Sequence, residues 1–332
     1  MTGIWLPYVA LFAWALSGLS RLTTLLYPPP GATETRAHTL LALLVLVGGL
    51  TAAVRRTPFP SPTSNAAAVG LHALLLIGLL AALTPLLTPF DPVQLDVGPH
   101  LAPPSLTHPL GTDGLGRDGL ARCLFGARIS LTVGALTVGL AMTLGVSLGA
   151  VAGFRGGWVD AGVVWLTDLL LAMPRLLLLM AVVGVLRPQG EQRLVVMIGV
   201  LGLTGWMGVG RVVRAQVRSL REREFVYGAR ASGASERRIL WAEILPNALG
   251  PVVTYGCLGM GGAMLTEAAL SFLGLGVPAP MPTWGGLVNE GRETLRSAPW
   301  VSLAPGMFLT ATVVSVNLLG EGWGDRIAGR SG

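Results

Sequence analysis

The chain has 332 residues, 52% of them hydrophobic and only 12% charged, whereas soluble domains carry about 25% charged residues; this argues against a soluble globular protein. All 23 basic residues are arginine, concentrated between apolar blocks, so the formal charge of +6 reads as membrane topology and not as a nucleic-acid surface. Cys123, Cys257, His38, His72, His100 and His108 show neither a disulfide framework nor metal-ligand spacing, and no metal site is expected.

Crossing about 30 Å of hydrocarbon takes about 20 apolar residues as a helix. Eight blocks are predicted as spans: 4–27, 38–54, 66–88, 129–152, 158–186, 194–212, 249–274 and 300–320. The first is interrupted by Arg21 and the second is short. No basic residue precedes the first and no clear cleavage site follows it, so it is read as an anchor, not a removed signal.

Residues 89–128, between the third and fourth blocks, are rich in proline and glycine, which predicts irregular backbone with short helices. The fourth block carries Gly134, Gly139, Gly145 and Gly149, small residues that let helices approach closely in lipid. It also contains Gly145-Val146-Ser147-Leu148-Gly149, which fits the G-x-S-x-G nucleophile elbow of a hydrolase but lies inside an apolar span. In the fifth block, Asp168 and Arg175 are placed near the same helical face, with Pro174 predicting a kink.

After the sixth block, residues 222–247 read EREFVYGARASGASERRILWAEILPN. The stretch predicts two short helices: Gly233 ends the first in a left-handed conformation, and Ser235 caps the second. Pro246 then marks the start of the seventh span, because its missing donor discourages simple continuation of the helix. The seventh block holds Glu267 and the small residues Gly259, Gly261 and Gly262, and the segment 275–299 beyond it is again rich in proline and glycine. Asp168, Arg175 and Glu267 are expected to face a water-filled pathway or another helix, since each is costly in hydrocarbon.

Orientation follows from the arginines. Placing the loop 222–247 in the cytoplasm puts 13 arginines inside and 8 outside, with both termini inside.

The stretch GARASG-x10-ILPN, from Gly228 to Asn247, resembles the coupling loop of bacterial ABC-importer permeases, commonly written EAA–x3–G–x9–I–x–LP. Ala229, Gly233, Leu245 and Pro246 match; Tyr227 and Gly228 replace the glutamate and first alanine, and Glu243 stands where the motif has isoleucine, with Ile244 one place later. HPLGTDGLGRDGLARCLFGARISL, His108 to Leu131, resembles the segment before the core domain in dipeptide, oligopeptide and nickel importers. LTEAALSFLGLGVPAPMPTWGGLV, Leu265 to Val288, resembles their penultimate span and following loop.

The resemblance implies an all-α polytopic membrane bundle of the type I ABC-importer permease kind, with about eight transmembrane helices, six family-like and two N-terminal. It implies a subunit forming half of the pathway for peptides or nickel-type small solutes, in the bacterial cytoplasmic membrane. The implied partners are a second permease, two cytoplasmic ABC ATPases and an extracytoplasmic solute-binding protein. ATP and Mg would be used by the ATPases, since this chain has no G-x-x-x-x-G-K-[ST] phosphate loop and is not itself expected to be an enzyme. The residues implied for coupling are Ala229, Arg230, Gly233, Ala234, Ser235, Ile244, Leu245, Pro246 and Asn247. The implied organisation is an accessory hydrophobic region 1–65, a first family-like span and outer loop 66–128, the permease domain 129–320 and a cytoplasmic tail 321–332. The alternatives are a membrane-embedded hydrolase and a stand-alone secondary transporter; the latter would ordinarily show internal repeat symmetry, which is not found.

Overall fold

The computed structural model describes residues 65–186, 192–277 and 279–327; the two N-terminal blocks, 4–27 and 38–54, lie outside them. Helix α1 (Asn65–Ala82) is shorter than the predicted block 66–88. Pro85 brings no donor to continue it, and after Leu83 the chain makes only the short α2 (Thr84–Leu87). The Thr84 hydroxyl donates to the carbonyls of Ala81 and Leu80 at 2.8 and 3.1 Å, closing the end of α1.

Helix α3 (Gly119–Arg155) is 37 residues long and extends beyond the predicted 129–152 at both ends. Its start is set by Asp118, whose carboxylate accepts from the Ala121 N–H at 2.7 Å. Arg122 and Arg128, which suggested a loop, are instead buried within the helix. The predicted fifth span is broken into α4 (Gly157–Leu171) and α5 (Arg175–Leu186), bent by 83° at Pro174. That is sharper than the expected kink, and it removes Asp168 and Arg175 from a common helix face.

Helix α6 (Gln192–Leu220) leads into α7 (Glu224–Ala231) and then α8 (Glu236–Arg238). Pro246 stands in the first turn of the seventh-block helix, as expected of its start, but no gap separates that helix from the turn before it. The chain passes from α8 through a π-helical turn (Ile239–Ile244) into α9 (Leu245–Phe272), one continuous helix from Glu236 to Phe272. In the π turn the Leu245 N–H bonds to the Leu240 carbonyl, five residues back. This shifted register lets a residue without a donor follow without ending the helix. The short α10 (Trp284–Glu290) lies in the segment after α9, and α11 (Trp300–Ile327) closes the bundle.

Four of these helices are long and apolar enough to cross a membrane, or five if the bent pair α4–α5 is taken as one span; Ala66–Ala82 is apolar but shorter. The protein is thus an all-helical, multi-pass membrane protein. The central packing is α3 against α6. An added Cβ at Gly145, Gly149 or Gly153 would lie 2.5–2.6 Å from Val209 Cβ, Gly210 O and Arg214 O, so this glycine ridge sets the helix spacing. Gly139 and Gly262 face open space and set none. At one end of the bundle Leu179 of α5 packs with Ile129, Leu194, Leu201 and Leu270; at the other, Phe154, Val213, Val217, Val226, Ile239 and Ile244 form a second cluster.

Candidate functional site

The loop between α6 and α9 is held by both local and long-range forces. Helix α7 ends in a Schellman motif: Gly233 has φ 80°, its N–H bonds to the Arg230 carbonyl at 2.9 Å, and the Ala234 N–H reaches Ala229 O at 3.0 Å. Ala229 and Ala234 both pack on the cluster around Ile239 and Ile244. Ser235 then caps the next helix by accepting from the Arg238 N–H at 3.4 Å. Arg230 crosses the turn to Glu236, with contacts of 3.1 and 3.3 Å. Asn247 donates to the Glu243 carbonyl at 2.6 Å, beside the π turn. Val226 is fully buried and anchors α7 to α3 and α6, while Phe225 and Tyr227 on either side of it are exposed. An open hollow of about 940 Å³ lies beside this turn, lined in part by Arg155, Arg221, Glu222, Tyr227, Arg230 and Glu236.

Above this loop, charges from α4 meet charges from α6. Arg214 takes Asp160 through both Nε and Nη2, and Arg211 donates to Asp168 at 2.5 Å. Asp168 therefore pairs with Arg211, not with Arg175, and both members of the pair are more than half exposed in the single chain. Arg175, at the start of α5, is exposed and has no ion-pair partner among the described residues. Glu267 is buried instead: it accepts from Ser271 at 2.7 Å and from Thr283, the N-cap of α10, at 3.0 Å. Its contacts join α9 to the start of α10.

The opposite end of the bundle carries a charge cluster that the sequence reading missed. Asp113 Oδ2 accepts from Arg117 Nε and Arg122 Nη1, each at 2.6 Å. Glu290, at the end of α10, accepts from the same two guanidiniums at 2.8 and 2.6 Å and from Arg122 Nη2 at 3.1 Å. Asp113, Arg117 and Arg122 are buried, whereas the Glu290 side chain is 38% exposed. Burial alone would raise the Asp113 pKa, but the Arg117 N–H, the Arg122 charge, the Leu115 N–H and the Arg117 charge outweigh it and hold the carboxyl below its ordinary value. Next to it, His108 Nδ1 lies 2.9 Å from Asp118, the cap of α3. Trp284 completes the clamp: its backbone N–H donates to Ser130, its indole to the Cys123 carbonyl, and its ring stacks on Phe308. The arginines and aspartates of GTDGLGRDGLARC were visible in the sequence, but nothing there signalled Glu290 as their partner.

Residues 145–331 match the family model for "Binding-protein-dependent transport system inner membrane component". Similar proteins include a dipeptide transport system permease of Alkalihalophilus pseudofirmus, 40% identical over 79% of this chain and 84% of the relative. An oligopeptide transport system permease of Bacillus subtilis is 37% identical over 80% of this chain and 86% of its own, and one of Mycobacterium bovis 36% over 80% and 90%. The chain belongs to this permease family. The permease is thus a multi-pass subunit of an ABC importer, and the hydrolase alternative has no geometric support: Ser147 sits within the unbroken α3, without the strand–turn–helix that exposes a nucleophile. The family match spans the whole α7–α9 loop, the Asp168–Arg211 pair and Glu267, while the Asp113–Arg122 part of the charge clamp precedes it.

Proposed function

We propose that the permease forms half of the pathway of an ATP-driven importer of peptides, and that α7 and the turn at Gly233 couple it to cytoplasmic ATPases. The observation that carries the coupling reading is the construction of the loop. Its backbone is locked by the Schellman motif and anchored by Val226, yet it offers Phe225, Tyr227 and Arg230 outward. A rigid lever with an exposed aromatic and cationic face suits docking in a groove, and its continuity with α9 through the π turn gives a mechanical route into the membrane. Ala229, Gly233, Ala234 and Ser235 shape the turn, Ile244 and Leu245 seat it, and Pro246 and Asn247 stand where the π register returns to α. Nucleotide-driven closure of the ATPases would then bias one permease conformation over the other.

Peptide as solute rests on the named activities of the relatives. A second permease, two ATPases and an extracytoplasmic binding protein complete the assembly in this reading, and ATP and Mg belong to the ATPases. The loop and both termini are cytoplasmic, in the bacterial inner membrane. The Asp168–Arg211 pair and Arg175 face the pathway, because half-exposed charges are costly against lipid; Glu267 serves as an interhelix anchor. Residues 1–65 are accessory, ahead of a permease domain at 129–320.

Uptake of labelled di- and oligopeptides by cells with and without the chain tests the solute. Loss of peptide uptake on deletion, restored by the intact gene, is expected; unchanged uptake contradicts the reading. Cysteine at Tyr227 should cross-link to a copurifying ATPase, whereas failure of any ATPase to copurify would sink the coupling role. A chain truncated to begin at Pro60 should still assemble, and loss of assembly despite membrane insertion would show that residues 1–65 are integral.

A further inference from the structure

Arg175 is out of place for a residue that only packs. It opens α5 at the 83° break, and its guanidinium sits 3.9 Å from where a Cβ on Gly205 would stand. Gly205 lies near the middle of α6, and its other close neighbour is Ala141, well inside α3. The outer apolar cluster around Leu194 and Leu201 lies on one side of this level and the inner cluster around Val213 on the other. Arg175 is therefore at mid-depth in the bundle.

Two features mark the place as polar and open. Gly208, one turn along α6 from Gly205, leaves its side-chain position to the Tyr255 hydroxyl, so two adjacent glycines make a floor beneath a guanidinium and a phenol. Toward the inner end, Arg211 and Arg214 each hold an aspartate, while no described carboxylate reaches Arg175. A guanidinium stays charged at any physiological pH, and an unneutralised charge at this depth is strongly unfavourable in lipid. An exposed cation there needs water or an anion supplied from outside the chain.

We propose that Arg175 is a carboxylate-recognition point in the transport pathway, pairing in passing with a free carboxylate of the solute. The proposal rests on the pathway reading above and adds the chemical group recognised. The planar guanidinium matches a carboxylate bidentately, and the partner hydroxyl of Tyr255 offers a further donor. Such a pair is transient by design: the carboxylate leaves when the pathway opens to the other side.

The test uses the assembled permease–ATPase complex in proteoliposomes, without binding protein, so that delivery does not select the probe. Arg175 is labelled with hydroxyphenylglyoxal, a water-borne arginine reagent, and its modification is followed by peptide mass spectrometry. Dialanine is expected to protect Arg175 about tenfold better than dialaninamide, and acetate better than acetamide, as befits a hydrogen-bonded charge pair. In uptake by the full transporter, where the same binding protein serves every variant, Arg175→Lys should keep more of the preference for dialanine than Arg175→Gln does. Equal protection by acid and amide would overturn carboxylate recognition while leaving Arg175 in a pathway. An Arg175 unreactive in every state would overturn both the site and its exposure. If the wild-type transporter takes up no peptide, the peptide reading fails, and the acetate–acetamide comparison still decides the role of Arg175.

Discussion

Arg122 lies at the centre of the charge clamp, with Asp113 and Glu290 both on its guanidinium and almost none of its surface in solvent. Removing one partner of a buried pair leaves the other charged and unmatched, which costs about 3–5 kcal/mol. Arg122→Ala is therefore expected to lower thermal stability of the purified protein severely. Glu290→Gln, at a half-open position and with hydrogen bonding retained, should cost far less. Equal losses would mean that the cluster is not organised around Arg122. The depressed pKa of Asp113 gives the cluster a direction in pH. A carboxyl whose folded value lies below its ordinary value of about 3.9 stabilises the fold above that value and ceases to do so as pH falls through the folded one. Hydrogen exchange across residues 100–118 should accelerate in that acid window, and Asp113→Asn should flatten the response.

Helix spacing and helix breaks are properties of elements. Gly149 of α3 meets the backbone of Gly210 on α6, so Gly149→Val must push the helices apart at a cost of about 1–3 kcal/mol, whereas Gly139→Ala meets nothing within 4 Å and should be neutral. Melting temperatures of the two variants in the same detergent check this; parity would deny the glycine ridge its role. Much of this level was legible in the sequence. The apolar blocks located the described spans, and Gly233, Ser235 and the glycines at Gly145 and Gly149 follow from steric and capping rules that act over a few residues. What was not legible depended on partners far along the chain. Arg122 and Arg128 looked like loop residues because their burial is set by distant contacts, Asp168 and Arg175 looked like neighbours on one helix face although an 83° break separates them and Arg211 holds Asp168, and the π turn that leads into Pro246 without a gap leaves no signature in a short apolar run.

Across the whole molecule, the charge clamp around Arg122, the proposed pathway residue Arg175 and the proposed coupling loop at Gly233 follow one another along the bundle. Cysteines at Leu106, fully exposed in the outer segment, and at Ser235 in the loop are expected to label from opposite sides of the membrane. Labelling of both from one side would reverse the assignment. The central claim is that the turn at Gly233 transmits ATPase closure into α9. Gly233 has φ 80° with open space around it, so a side chain there meets no neighbour and acts only through backbone strain, about 1–2 kcal/mol for an ordinary residue. Valine imposes that strain, while asparagine tolerates the left-handed conformation. The deciding measurement is peptide uptake together with solute-stimulated ATP hydrolysis by the assembled transporter carrying Gly233→Val or Gly233→Asn. Normal assembly is expected for both, with uptake and stimulation impaired in the valine variant and largely retained with asparagine. A valine variant that assembles, hydrolyses ATP and imports like the wild type would contradict this claim, and the loop would be only a basic connector.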